Sequence, residues 1–287
     1  MEMRYALFLG CNVQARLKEY ADSAKTALKG LGVEAVDLKD FGCCGYPLEG
    51  VDPRTALVLS ARNLALAQGF GLDLLVLCQC CYGTLKRAKV NCEANQGVRD
   101  EVNRILEREG LKYEGGVKVL HLLHLLYKEV GPEGIKTRVK RPLTGLKVAP
   151  HYGCHALRPS VLMELDDPID PKAMEEILSA LGAEPLPWSK RLDCCGAPLL
   201  GVDDDLSLKF MKSKVEGCLE IGADLLCVCC PYCHLQFDKG QLRTFGRTLV
   251  KPILLTQLIG LSLGYIPEGL GIPSGQVDAL GHRVFNI

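Results

Sequence analysis

Apolar and polar positions follow a repeating rhythm along this chain. A short apolar run at residues 4–9 reads as a strand, and residues 17–29 carry a helical pattern that meets Gly30 and Gly32, both good helix stops. Residues 33–38 form a second short strand. Asp52 and Pro53 then offer a cap and a first-turn proline for a helix over residues 55–68. Residues 73–77 are almost wholly apolar, as expected of a strand buried on both faces of a parallel sheet. An amphipathic helix is expected over 100–109, and residues 117–127 read as an apolar strand or helix. The second half repeats the pattern, with Asp203 to Asp205 opening a helix over 206–220. The apolar run 253–265 contains Thr256 and Gln257 and is bounded by Pro252 and Pro267, so it reads as a buried helix and not a membrane span. Strand, helix, strand, helix, strand in each half predicts an α/β fold with parallel sheets.

The two halves share more than rhythm. The motif Cys-Cys-Gly-x-Pro-Leu-x-Gly-Val-Asp occurs at residues 43–52 and again at 194–203, an offset of 151. Residues 71–78 match 222–229 at that offset, residues 5–11 resemble 147–154, and residues 117–126 resemble 250–259. Four blocks in one order indicate a duplication. The expected division is a first domain over 1–144 and a second over 145–287, in tandem and related by a pseudo-twofold axis.

Composition narrows the function classes. Of 287 residues, 48% are hydrophobic, enough for a full core and too many for a disordered chain. Lys plus Arg and Asp plus Glu number 34 each, and the zero net charge argues against a nucleic-acid binder or a partner of anionic membranes. The opening Met-Glu-Met-Arg and the brief apolar run after it do not make a secretory signal, and no run of about 18 apolar residues appears. The expectation is a soluble, cytoplasmic protein without a transmembrane segment. In that compartment 15 cysteines, an odd count, mean metal, cluster or redox chemistry and not a disulfide framework.

Each half supplies one lone cysteine, one adjacent pair and one Cys-x-x-Cys. These are Cys11, Cys43, Cys44, Cys78 and Cys81, and then Cys154, Cys194, Cys195, Cys230 and Cys233. All lie just past the C-terminal ends of expected strands, the rim where open α/β sheets bind ligands. A Cys-x-x-Cys turn aims two thiolates at one centre. The side chains of an adjacent pair diverge, which suits two irons of a larger cluster better than one ion. Five thiolates exceed what a tetrahedral zinc or an ordinary cubane takes, so the count points to an unusual iron–sulfur centre. Zinc held by four of the five stays open as an alternative in one domain. Cys230 is preferred to Cys229 because only it reproduces the Cys-x-x-Cys spacing. Cys92, Cys218 and Cys227 read as small buried hydrophobes, with Cys80 and Cys229 less certain.

Around these sites His151 and His155 flank Cys154, and Arg158 follows. They are candidates for proton delivery and for holding an anionic substrate group, or else they simply hydrogen-bond the cluster loop. His121 and His124 read as structural, and Lys86 and Arg87 as a solvated helix face. No ferredoxin cysteine run, nucleotide fingerprint or Walker motif is present, so a partner has to deliver electrons.

The two Cys-Cys-Gly loops, the stretch at 151–159, the Cys-Pro-x-Cys turn at 230–233 and the tail at 257–264 resemble the cysteine-rich CCG-domain family, and within it the family of heterodisulfide reductase B subunits. The resemblance spans nearly the whole chain. The Cys-Cys-Gly loop alone also occurs in lactate-utilisation and related electron-transfer proteins. The resemblance implies two noncubane [4Fe-4S] clusters on the two five-cysteine sets. It also implies two-electron reduction of a mixed disulfide of the coenzyme M–coenzyme B type to two thiols, as in methanogenesis. Implied partners are the ferredoxin-like C subunit, together with the flavin-containing A subunit, of a heterodisulfide reductase-type complex. The competing readings are a CCG-domain electron-transfer subunit of another complex and a zinc-bearing scaffold.

Overall fold

The computed structural model describes residues 3–272, and these form two four-stranded parallel sheets. The first half runs β1 (Met3–Phe8), α1 (Gly10–Arg16), α2 (Lys18–Gly30), β2 (Val33–Val36), α3 (Pro53–Gly69), β3 (Asp73–Val76), α4 (Gln79–Ala94), α5 (Gln96–Leu106), β4 (Val119–His121) and α6 (Leu122–His124). After α7 (Pro132–Lys136) the second half runs β5 (Lys147–His151), α8 (Ser160–Met163), α9 (Ala173–Ala180), β6 (Glu184–Pro185), α10 (Asp204–Glu220), β7 (Leu225–Val228), α11 (Pro231–Phe245), β8 (Lys251–Leu254) and α12 (Leu255–Ser262). The strand orders are β2-β1-β3-β4 and β6-β5-β7-β8, so the two sheets have the same topology. In each, the chain reverses its direction of winding between the two central strands. The crevice at their C-terminal ends is the switch point at which such sheets bind ligands.

Local sequence explains the elements. Leu74, Leu75 and Val76 of β3 and Leu226 and Val228 of β7 are fully buried, which accounts for their unbroken apolar runs. Asp52 caps α3 by accepting the Thr55 N–H at 3.0 Å, and Asp203 caps α10 by accepting the Leu206 N–H at 2.9 Å. Several boundaries differ from the sequence pattern. The helix expected over 17–29 is α2, and the pattern missed only the short α1 ahead of it, which Leu17 separates with an extended φ of −147°. The helix expected from residue 100 begins at Gln96, where Asn95 caps it. Residues 117–127 are strand and then helix, passing into a π-helical turn over Leu125–Val130. The expected helix over 253–265 gives its first two residues to β8 and is helical over Leu255–Ser262. No helix among the described residues is long and apolar enough to cross a membrane.

The halves interlock. The Ser23 hydroxyl on α2 lies 2.8 Å from the Thr256 hydroxyl on α12, both fully buried. The Tyr82 hydroxyl donates to the Met163 carbonyl at 2.9 Å, and the Gln79 amide donates to the Tyr152 carbonyl. Most telling is Tyr20, wholly buried, whose hydroxyl lies 3.2 Å from the Leu77 carbonyl and 3.1 Å from the Cys229 carbonyl. Those carbonyls immediately precede Cys78 and Cys230, which cap α4 and α11. One hydroxyl therefore fixes the equivalent strand ends of both sheets against each other. Tyr20→Phe removes this shared donor from a dry site. The expected loss is about 1–3 kcal/mol of unfolding free energy, measured by chemical denaturation.

Candidate metal centre

The cysteine-bearing loops converge because all of them leave C-terminal strand ends. Cys11 lies in the first turn of α1, Cys78 and Cys81 flank the start of α4, and Cys230 and Cys233 flank the start of α11. Cys43-Cys44 and Cys194-Cys195 sit in loops whose shape depends on glycine. Gly45 has φ +89°, and a Cβ there would lie 2.7 Å from the Ala56 Cα of α3. Gly196 has φ +86°, and its Cβ would collide with the Ser207 carbonyl of α10. Ser60 donates to the Cys44 carbonyl at 2.6 Å, and Ser207 donates to the Gly196 carbonyl at 2.9 Å. Each Cys-Cys-Gly loop is thus clamped to the helix that follows it.

The thiols shift one another's pKa values in a continuous chain. Bonds from Cys43 and Cys81 hold Cys44 well below the usual thiol range, while Cys44 in turn pushes both of those thiols up. Cys194 is held down in the same way by Cys154 and Cys195. Burial alone would raise Cys230, but bonds from Cys233, Cys78 and Cys80 take it well below the ordinary value. The chain therefore runs from Cys43 through Cys44, Cys81 and Cys78 to Cys230, and on through Cys233, Cys195 and Cys194 to Cys154. Three cysteines, Cys44, Cys194 and Cys230, are thus held low, each by two or three neighbouring thiols. Cys11 is exposed at the edge of this array and adds to the upward shift that Cys44 imposes on Cys43.

The structure thus gathers the two five-cysteine sets and makes them meet at Cys78 and Cys230. It also adds Cys80, whose thiol bonds to Cys230 and Cys78 and is pushed up by them. Cys80 occupies the place in its turn that Tyr232 takes in the other, a correspondence visible in the sequence but not read as functional from it. The Cys230 thiol enters the chain, whereas the Cys229 thiol is raised by burial and its carbonyl is what serves Tyr20. Cys92, Cys218 and Cys227 are fully buried in the hydrophobic core.

Aromatic rings line the approach. The Tyr46 ring, next to the first loop glycine, sits 5.6 Å from His155 and 6.2 Å from Tyr232. A cavity of about 400 Å³ lined by Arg16, Tyr232, Lys239 and Arg243 opens beside the Cys230–Cys233 turn. His151 is fully buried, its Nε2 is 3.3 Å from the Cys233 Sγ, and its ring packs edge-on against Phe237 at 5.1 Å. Burial takes the His151 pKa well below its ordinary value, so the imidazole is neutral. Nδ1 has no partner among the described residues, so the contact with Cys233 is the ring's one polar contact, and a metal-ligated Cys233 sulfur would take its bond from a proton on Nε2. Arg158 is exposed, and its guanidinium reaches the Pro168 carbonyl at 3.4 Å. Lys86 bonds to the Leu162 carbonyl at 2.6 Å, and Arg87 pairs with Glu49 at 2.6 Å.

Lys214 escaped sequence reasoning. Its side chain is 1% exposed, it lies over the Trp188 ring at 4.9 Å, and its ammonium donates to the Lys190 carbonyl and, at 3.0 Å, to the Asp193 carbonyl. Burial takes its pKa down to about 8, opposed by Asp193 and by Cys233, so it remains charged at neutral pH. A lysine inside an amphipathic helix pattern gives no sign of pointing inward.

These features define a tandem α/β protein built to hold thiolate-ligated metal at paired sheet edges. The chain belongs to the cysteine-rich CCG-domain family, which matches residues 5–86 and 148–238, and to the group within it that includes the B subunit of heterodisulfide reductase. It is 36% identical over 283 residues to the B subunit of the ferredoxin/F(420)H(2)-dependent CoB-CoM heterodisulfide reductase of Methanosarcina acetivorans, covering 96% of this chain and 94% of that one. It is 38% identical over 278 residues to a protein of Archaeoglobus profundus that is itself like the heterodisulfide reductase B subunit, covering 93% of this chain and 92% of that one. It is also 34% identical over 284 residues to the 8-methylmenaquinol:fumarate reductase membrane anchor subunit of Wolinella succinogenes, covering 97% and 99%. A crystal structure of a hypothetical protein from Helicobacter pylori superposes with TM-score 0.74 at 20% identity, over 94% of this chain and 51% of that one, which shows the fold. The relatives are subunits of multi-subunit oxidoreductases, so partner subunits are implied. The buried thiol array, in which Cys44, Cys194 and Cys230 are held below the usual thiol range, fits iron–sulfur clusters.

The glycine clamps yield a direct test. Gly45→Ala and Gly196→Ala are each expected to cost about 2–4 kcal/mol in denaturant titration, from a left-handed backbone and an overpacked contact. Gly50→Ala, whose Cβ would meet nothing within 4 Å, leaves the midpoint unchanged.

Proposed function

We propose that this chain is the disulfide-reducing subunit of a heterodisulfide reductase-type complex, with one noncubane [4Fe-4S] cluster in each of the domains 1–144 and 145–287. Cys11, Cys43, Cys44, Cys78 and Cys81 hold the first cluster. Cys154, Cys194, Cys195, Cys230 and Cys233 hold the second. The observation that carries this reading is the junction of the two sets at Cys78 and Cys230. When bound, the clusters supply electrons one at a time from two adjacent sites. A mixed disulfide of the coenzyme M–coenzyme B type takes up two electrons and two protons, its S–S bond breaks, and two thiols leave.

The chain's own groups serve this reaction in distinct ways. Tyr46, Tyr232 and His155 cluster beside the turns, where their rings would shield a bound substrate from bulk water. His155, half-buried at that edge, hands protons to the departing sulfurs. Arg16 and Lys239 draw the anionic ends of a substrate toward Tyr232, and Arg158 offers a guanidinium at the surface nearby. His151 is neutral and bonded to Cys233, so it acts through that cysteine and not as a proton donor. Electrons arrive from the ferredoxin-like C subunit, which the flavin-containing A subunit supplies, in the cytoplasm.

Two observations support narrower alternatives. The 34% identity to the fumarate reductase subunit favours a pure relay as the second reading. His151, Cys195 and Cys233 place three donor atoms within 4.8 Å of one another, a set that would also suit zinc in the second half. Metal analysis of anaerobically prepared protein separates these. Two four-iron clusters give about eight irons per chain, and Cys44→Ser and Cys195→Ser each remove about half. Zinc with little iron supports the scaffold reading. Disulfide-dependent oxidation of a reduced dye is expected of the reductase, whereas a relay leaves the dye reduced when only a disulfide is added.

A further inference from the structure

The duplication invites a comparison of the two halves position by position. Phe8 and His151 each close the central strand, opposite Val76 and Val228, and each precedes its lone cysteine by the same three positions. Phe8 packs edge-on against Phe41 at 5.2 Å and offers no donor. His151 aims Nε2 at the Cys233 sulfur from 3.3 Å. A second pair differs in the same sense. Asn63 and Lys214 occupy equivalent places on α3 and α10, counted from the capping Asp52 and Asp203. Asn63 steadies the first loop through neutral bonds, donating to the Cys43 carbonyl at 3.1 Å and accepting the Gly42 N–H at 3.0 Å. Lys214 steadies the second loop through the Asp193 carbonyl at 3.0 Å, and does so with a full charge. It is the one fully buried ammonium or guanidinium among the described residues. Cys195 and Cys233 are among the groups that act on it electrostatically.

We infer that the two metal sites are electrostatically unequal by construction, and that the cluster of the second half has the higher reduction potential and accepts the first electron. The inference rests on the cluster assignment proposed above. A cluster gains negative charge on reduction. A buried cation and a hydrogen bond to a ligand sulfur both favour that state, and the low-dielectric surroundings strengthen both effects. His121 does not cancel the difference. It is neutral, its pKa taken down to about 4 by burial, and it faces the Leu77 and Cys229 carbonyls of both turns. His151 and Lys214 are thus positioning residues that set a potential. They order the two electrons, the second half filling before the first, across the contact of Cys78 with Cys230.

The test is an EPR-monitored redox titration of the iron-loaded full chain, with iron analysis of every sample. In the wild type the wave that disappears in Cys195→Ser is expected at the higher potential. Lys214→Asn and His151→Phe install the residues of the first half. Each is expected to lower that wave by about 59 mV, a tenfold change in a one-electron equilibrium, and to leave the other wave in place. Lys214→Arg and His151→Gln keep the charge and the donor and should hold the wild-type value. A wild-type second-half wave at or below the first overturns the inference. So do waves unmoved in both substitutions at full iron content. A wild-type chain that loads no iron overturns the cluster assignment itself, and the metal analysis tells these outcomes apart.

Discussion

Everything at the thiol array depends on two sheets presenting the same edge to a common space. A parallel strand can place a ligand only at its C-terminal end, where the chain turns into a helix, so ten thiols can converge only if both rims face each other. Tyr20 enforces that arrangement. Its single hydroxyl, shared between the Leu77 and Cys229 carbonyls, sets the height at which α4 and α11 begin. Displacing either helix would part Cys78 from Cys230. The contact of Ser23 with Thr256 lies on the same helix, α2, so the first half carries the screw that aligns the second.

The loops obey a second constraint, close approach to the helix behind them. Gly45 and Gly196 permit it, while Ser60 and Ser207 hold the loop carbonyls in place. Cys44, Cys194 and Cys230 each sit among thiols that are pushed up, so negative charge placed there is shared with its neighbours rather than left bare in a dry interior.

Much of this was legible in the sequence because duplication prints each functional position twice. The alternation of strands and helices, the sheet class and the placement of cysteines at strand ends all follow from pattern and spacing. The capping Asp52 and Asp203 mark their helices as expected. Errors came at element boundaries, where a cap sits ahead of the apolar period, as Asn95 does, or where a strand runs straight into a helix, as at Leu254 and Leu255. Tertiary convergence was the larger gap. Cys80 looked like a spare because its partner Cys230 lies 150 positions away. Nothing in the helix pattern marks Lys214, because only the folded loop of Lys190 to Asp193 supplies the carbonyls that let it bury. The role of His151 depended on the sulfur it would meet, and periodicity does not specify that.

The seating of low-pKa cysteines beside other thiols has a consequence for the life of the protein before metal arrives. A thiolate beside a thiol in a dry, crowded pocket is also the starting point for oxidation, since the thiolate is the species that oxidants attack. Cys44, Cys194 and Cys230 each have a ready sulfur partner at hand. The same preorganisation that receives iron therefore competes with it. An empty array left in air closes on itself, so cluster assembly is a race that the fold can win only in reducing surroundings.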